Sequence, residues 1–356
     1  MKIGILTSGG DCAGLNSVMR GIGLYVYQNI KNAEIVGIPD GYSGLIRGEC
    51  RPMPREEFER LLDVGGTVLG SVRTPFKMMT VPEEDGSTRL EKMCANYRKM
   101  GLDCLFTLGG AGTHRTAALL CAEGYNVIGL PKTIDNDIYG TDYTFGFHTA
   151  LDVATDAIER VRTTADSHGR TILVEVMGNK AGWLTLFSGI AGGADAIILP
   201  EIPFNIDKIV ECVQNTYASG KRSCVIAIAE GAVLDSEAPF KRRERAFIRL
   251  DRGEATATRH LAEIVGERTG VETRGTVLGY IQRGGRPSAY DKVFSTRLGS
   301  YAGKLAAEGR FGVTVALVGN QITFNALADI AGKYKLVDPE SEVVKEAEGI
   351  GICLGR

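Results

Sequence analysis

The chain of 356 residues has only 4 histidines and 1 tryptophan, and its 8 cysteines show no CxxC spacing; no HExxH occurs either. Structural zinc and a disulfide framework are therefore unsupported, and reduced thiols are the expected state. No apolar run approaches the length of a bilayer span, although hydrophobic residues make up 44% of the chain. Neither sign of charge is in excess: 41 Lys+Arg against 43 Asp+Glu leave a formal net charge of -2. No overall basic field invites nucleic acid, so any anion site has to be local. The opening "MKIGILTSGG" is too short in its apolar part for a secretory leader and passes straight into glycines; it reads as a first strand. These absences point to a chain with neither a membrane nor a nucleic-acid partner, expected in the cytoplasm.

What is present alternates. "KIGILTS", "AEIVGIP", "CLFTLGG", "NVIGLP", "TILVEVM", "AIILPE" and "CVIAIAEG" are nearly continuous apolar runs, as parallel strands covered on both faces require. Between them lie helical periods. Leu151, Ala154, Ile158 and Val161 share one face, with Asp152, Asp156 and Glu159 opposite, and Ile206, Ile209, Val210 and Val213 form a second stripe. The expected class is α/β, doubly wound, with length enough for two domains. No fixed-period repeat and no low-complexity linker mark a boundary. The segment from Ser236 to His260 breaks the rhythm with "FKRRERAFIRLDRGE", which reads as a solvated helix or loop, or else as an effector or subunit contact.

Ligands of open parallel sheets sit beyond the carboxyl ends of the strands. After the first strand, Gly9 and Gly10 allow backbone N–H groups to approach an anion, and Asp11 and Asn16 can bond the turn. A plain tight turn explains these glycines equally well. A second glycine turn, Gly109-Gly110-Ala111-Gly112-Thr113, opens another helix. A third strand end, "LPKTIDNDI", groups Lys132, Thr133, Asp135 and Asp137. Asx turns alone would account for it. Two carboxylates near two phosphate-friendly turns also suit phosphoryl transfer, one accepting a hydroxyl proton and one assisting a metal.

Taken in order, "GILTSGGDCAGLN", "GGTVLGSVRTP", "GGAGT", "PKTIDNDI", "GTDYTFGF", "SHGR", "VEVMG", "AGGAD", "IAEG" and "ETRGTVLGYIQRGG" resemble the bacterial type of 6-phosphofructokinase over roughly residues 1 to 300. The resemblance implies two doubly wound parallel-sheet domains, residues 1–146 with 282–332 for the phosphoryl donor and 147–281 with 333–356 for the sugar phosphate. It implies Mg²⁺, a donor that is ATP or pyrophosphate, fructose 6-phosphate as acceptor, and a homo-oligomer, a tetramer by resemblance. Asp135 is then the base toward the 1-hydroxyl, with Thr133 and Asp137 beside it. Gly10, Arg73, Gly110, Ala111, Gly112, Thr113 and Lys132 fall on the donor side. Met177, Gly178, Asn179, Glu230, Tyr280 and Arg283 fall on the sugar side, while Arg170 and Arg274 reach the sugar phosphate of a neighbouring subunit. His168 in "SHGR" reads as a structural donor.

The departures from the family pattern are specific. Lys132 stands where pyrophosphate users have Lys and many ATP users Gly; Gly112 stands where pyrophosphate users have Asp. A carboxylate at 112 would crowd and repel the α-phosphate of a nucleotide, so glycine there favours ATP. Asn179 replaces a usual Arg, and Tyr280 a His common in bacterial members. Arg20 and Arg162 match regulatory arginines, whereas Leu24 falls at another, so effector control is in doubt. The family's usual Asp at 111 helps hold Mg²⁺, and a methyl group cannot. Three readings of Ala111 stay open: a less active variant; an enzyme whose metal is held by phosphates, water and Asp135 or Asp137; or a silent relative that binds the sugar phosphate.

Overall fold

The computed structural model describes residues 1–251, 253 and 256–356. Two compact units divide them: Met1–Thr149 with Arg283–Lys335, and Ala150–Gln282 with Leu336–Arg356. The chain thus passes between units after Thr149, Gln282 and Lys335, where the resemblance places the passages after 146, 281 and 332.

The first unit is built on β1 (Lys2–Ser8), β2 (Glu34–Ile38), β3 (Arg51–Pro52), β4 (Cys104–Gly109), β5 (Val127–Pro131), β10 (Val313–Val318) and β11 (Gln321–Ala326). They lie in the order β11-β10-β5-β4-β1-β2-β3. The central pairs are parallel. The edges are not, since β3 and β11 run antiparallel to their neighbours. Every residue of β4 and β5 is buried, which is why these segments read as unbroken apolar runs. β11 escapes that pattern because an edge strand is covered less, and its residues are half-buried or exposed.

Because β2 lies on one side of β1 and β4 on the other, the order reverses at the β1/β4 junction. The loops after Ser8 and after Gly109 therefore diverge and leave a crevice at the carboxyl ends, the place where such sheets bind ligands. The helix Leu15–Asn29 follows β1 and packs on the helix Ala289–Ala307 at backbone distance. A Cβ on Gly299 would sit 2.2 Å from the Val18 carbonyl, so glycine is required there.

The second unit holds β6 (Thr171–Val176), β7 (Ala196–Ile198), β8 (Cys224–Ala229) and β9 (Thr273–Val277), all parallel, in the order β7-β8-β6-β9. Its core gathers Leu173, Ile198, Phe204, Ile209, Val213, Ile226 and Leu261. Of the two helical stripes read from sequence, Ala154, Ile158, Ile209, Val210 and Val213 are fully buried, while Leu151, Val161 and Ile206 are half-buried.

The charged segment contains a helix, Arg242–Asp251, with Arg242, Arg243 and Glu244 exposed. It is not wholly solvated: Arg249 is buried, pairs with Glu237 at 2.5 Å and donates to the Ala232 carbonyl at 2.7 Å. Residues 252, 254 and 255 of this segment lie outside the described ones.

Candidate active site

In the first unit, the glycine turn after β1 has a backbone that only glycine adopts easily, with Gly9 at φ 87°. Gly10 is glycine for a different reason. A Cβ there would lie 2.5 Å from Nη1 of Arg283, which donates to the Asp11 carbonyl at 3.0 Å. Ser71 Oγ donates to the Gly9 carbonyl at 2.6 Å and ties the loop carrying Arg73 to this turn. Arg73 itself is exposed.

The second turn leads directly into the helix Ala111–Ala122, whose cap residue is Gly110 and whose first turn contains no acidic side chain. The backbone N–H groups of Ala111, Gly112 and Thr113 have no intrahelical acceptor, and the helix dipole adds positive potential at this end. Gly112 is exposed, and nothing lies within 4 Å of a Cβ built on it. Thr113 is buried, and its carbonyl accepts from Tyr42 Oη at 2.9 Å.

Lys132 joins the two turns. Only 4% exposed, its ammonium donates to the Gly10 carbonyl. It forms no ion pair among the described residues. Burial, with the nearby Arg283 charge as a lesser cause, lowers its pKa. The result is a buried cation near the reversal point of the sheet, bonded to the neutral Gly10 carbonyl on the same sheet end as the amides that open the helix Ala111–Ala122.

The catalytic candidates follow on one loop. Thr133 is buried, and its Oγ1 accepts from the Asp135 amide at 3.0 Å. Asn136 adopts φ 51°, and its Oδ1 accepts from the Thr144 amide at 3.0 Å, which closes the loop. Asp135 and Asp137 are half-buried. Burial raises the Asp137 carboxyl pKa, with Lys132 and Lys335 opposing. Lys335, which the sequence reading passed over, donates its amide to the Asp137 carbonyl at 2.9 Å and its ammonium to the carbonyls of Thr141 and Asp142 at 2.9 and 2.6 Å.

No group of three or more His, Cys, Asp or Glu side chains poised for a metal occurs among the described residues. The two carboxylates still fit Mg²⁺, which normally takes one or two carboxylates and completes its shell with water and substrate phosphates. Asp137 fits best, because its raised pKa marks a carboxylate that an added cation would stabilise. Ala111, half-buried at the helix start, offers no ligand.

In the second unit, Gly178 at φ 151° and Asn179 at φ 55° form a sharp turn after β6. A Cβ on Gly178 would sit 2.5 Å from the Ala181 carbonyl. Glu230 Oε1 accepts from the amides of Gly178 and Asn179 at 3.3 and 2.7 Å, so the ends of β6 and β8 are clamped together. Met177 donates its amide to Gln282 Oε1 at 3.2 Å. Gln282, 1% exposed, was legible only as part of "YIQRGG".

Arg170 and Arg274 meet around Glu272, at 2.9 and 2.8 Å. The Arg170 ion pair holds the Glu272 carboxyl below its ordinary range, and Arg274 adds to this. Glu272 stood in the quoted motif, but its pairing was not read. These arginines sit at the amino ends of β6 and β9, whereas Met177, Asn179 and Glu230 sit at the carboxyl ends of β6 and β8. A strand the length of β6 separates the two groups by about 20 Å, so within one chain they do not share a small ligand.

Arg283 lies with the Gly10 turn of the first unit, and Tyr280 is 84% exposed beyond β9. His168 ends the long helix Phe147–His168. Of the regulatory positions, Arg162 donates to the carbonyls of Gly192 and Gly193 and serves the end of the helix Trp183–Ala191. Arg20 and Leu24 are half-buried.

This is the anatomy of a phosphoryl-transfer enzyme: amide cradle, cation and carboxylates at one sheet end. Comparison with known proteins supplies the family. A phosphofructokinase family model matches residues 2–306, and the chain belongs to that family of phosphotransferases. It is 46% identical over 355 residues to an ATP-dependent 6-phosphofructokinase of Spirochaeta thermophila, covering 99% of this chain and 97% of the relative. It is also 44% identical over 345 residues to a pyrophosphate–fructose 6-phosphate 1-phosphotransferase of Amycolatopsis methanolica, covering 96% and 97%. Among solved structures, Saccharomyces cerevisiae phosphofructokinase matches with TM-score 0.77 at 29% identity, over 93% of this chain and 45% of the yeast chain. A pyrophosphate-dependent phosphofructokinase from Marinobacter aquaeolei shares the fold with TM-score 0.79 at 23% identity, over 99% of this chain and 88% of the other.

Burial holds the Lys335 pKa at about 8, below its ordinary 10.5. The unfolded chain therefore binds the extra proton between these values, and the penalty for a charged Lys335 fades as pH rises through this window. Relative to Lys335→Met, the parent should gain stability from pH 8 to pH 10 in urea unfolding. A difference that stays flat across that range would contradict the burial argument.

Proposed function

We propose that the chain transfers the terminal phosphoryl group of ATP to the 1-hydroxyl of fructose 6-phosphate, giving fructose 1,6-bisphosphate, in the cytoplasm. One observation carries phosphoryl transfer itself, the choice of ATP resting on Gly112 instead: the buried Lys132 ammonium lies between two glycine turns near the reversal point of the first sheet, on the loop that bears Asp135. In this reading the amides of Ala111, Gly112 and Thr113 bind the donor phosphates, with Lys132 and Arg73 supplying charge and Gly10 leaving space. Asp135 accepts the hydroxyl proton as the oxygen attacks, and Thr133 Oγ1 orients it through the amide of the same residue. Bound Mg²⁺ would neutralise charge on the phosphates, with Asp137 or Asp135 as its protein ligand and Asp137 the better fitted.

Met177, Gly178, Asn179 and Glu230 bind the sugar, together with Tyr280 and Arg283. Glu230 already spends one oxygen on backbone amides, which leaves the other for a hydroxyl. The displacement of Arg170 and Arg274 to the opposite strand ends supports their service to a second copy of the chain, in a homo-oligomer and, by family, a tetramer. Exposed Val277 and Ile281, at and past the far end of the same edge strand as Arg274, suit such a contact.

A second reading, pyrophosphate as donor, is favoured by Lys132 itself and by the relative of that name at 44% identity. The open space around Gly112 favours the nucleotide, because a larger donor needs that room. Ala111 makes this a site in which phosphates, water and the Asp135 loop carry the metal.

Asp135→Asn preserves shape but removes the proton acceptor, so kcat should fall by about 10²-fold or more with little change in sugar affinity. A near-parental kcat would remove Asp135 from the role and bring Asp137 forward. Ala111→Asp adds a fixed carboxylate at the donor turn and should raise kcat by about 10²-fold across a Mg²⁺ titration. An unchanged or lower kcat at saturating Mg²⁺ would show that the site works without a ligand at 111.

A further inference from the structure

The second unit carries a pair of thiols that the proposed chemistry does not use. Cys212 lies on the helix Ile206–Ala218, and Cys353 on the final segment of the chain, beside β7. Both are half-buried, and both line a cavity of about 550 Å³ with Lys208, Lys221 and Ile350. One backbone atom fixes their proximity: the Asp195 carbonyl accepts from Cys212 Sγ at 3.8 Å and from the Cys353 amide at 3.0 Å. Cys353 Sγ itself donates to the Lys208 carbonyl at 3.9 Å.

Their surroundings are unequal. The Gly355 amide points at Cys353 Sγ at 3.4 Å, and the Lys208 charge lies nearby. The neighbouring Cys212 thiol, then the Gly355 amide and the weaker Lys208 charge, hold the Cys353 thiol below its ordinary pKa against burial and the Glu211 carboxylate. The same contact and burial hold Cys212 above its own. Of the other cysteines, Cys12, Cys94, Cys104 and Cys224 are buried, and each has its thiol pushed up by desolvation. Cys50 is exposed, and Cys121, half-buried, is also raised by desolvation.

We propose that Cys353 and Cys212 form a peroxide-oxidisable dithiol, with Cys353 attacking and Cys212 resolving, whose disulfide ties the C-terminal segment to the helix Ile206–Ala218. The Cys353 thiolate attacks one peroxide oxygen, the O–O bond breaks, and the leaving hydroxide takes a proton to become water. The Cys212 sulfur then displaces the hydroxyl of the Cys353 sulfenic acid, forming the S–S bond and releasing a second water. Peroxide is reduced by two electrons, and the protein loses two hydrogens. Access through the cavity and the neighbouring thiol direct oxidation here rather than to exposed Cys50, which has no such thiol partner.

The test uses the full reduced chain titrated with hydrogen peroxide, with thiol counting and peptide mass spectrometry. The expected result is loss of two thiols and a Cys212–Cys353 cross-linked peptide before Cys50 is modified, reversed by dithiothreitol. In Cys212→Ser, Cys353 should accumulate a dimedone-reactive sulfenic acid; in Cys353→Ser, Cys212 should stay reduced. Oxidation of any other cysteine first, or of Cys353 in the parent without the cross-link, would overturn the proposal. Since the readout is thiol chemistry, it stands apart from whether the chain phosphorylates a sugar.

Discussion

A lysine with its charge taken out of water and, among the described residues, hydrogen-bonded to one carbonyl is costly, and nearby carboxylates or a bound anion offset that cost. Lys132 is held that way by the topology of the seven-stranded sheet. Reversal of strand order at β1 and β4 sends two loops apart, and β5 then delivers Lys132 between them. The glycines follow from the same constraint. Gly10 has no room for a side chain because Arg283 fills the space, and Gly109 has none because Thr113 packs against it. The carboxylates come next on the same loop, so binding and chemistry are joined by a few residues of backbone and fixed by Asn136 and Thr144.

The second unit solves a different problem. Its sheet has a Glu230 clamp at the carboxyl ends and an Arg170–Glu272–Arg274 cluster at the amino ends. Glu272 keeps two guanidinium groups close without cancelling both charges, leaving the cluster cationic toward an outside phosphate. Glu230 and the arginine cluster therefore stand at opposite strand ends of one sheet. β9 is an edge strand with exposed apolar neighbours.

Much of this was legible in the sequence because buried parallel strands write themselves as unbroken apolar runs, and all seven such runs are strands. β9 was not legible, since "TRGTV" is mostly polar, as an edge strand allows; neither were the short antiparallel β3 and the β10–β11 pair. The glycine turns and the aspartate loop showed in local spacing, whereas their supports did not. Lys335 lies about two hundred residues along the chain from Asp137 and meets it only through folding. Arg283 belonged by motif with the sugar residues, yet it lies against the Gly10 turn, a placement no spacing encodes. Arg249 looked like part of a solvated charge run and is a buried anchor paired with Glu237.

We propose that the Lys132 crevice takes a nucleoside triphosphate and that the Asp135 loop uses it on a sugar phosphate. The direct measurement is formation of fructose 1,6-bisphosphate from fructose 6-phosphate at matched Mg²⁺, with ATP and pyrophosphate assayed side by side. The account predicts turnover with both substrates present and a higher kcat/KM for ATP than for pyrophosphate. A higher kcat/KM with pyrophosphate would make Lys132, rather than the open space at Gly112, the guide to the donor, and absence of product with either donor would contradict the account as a whole.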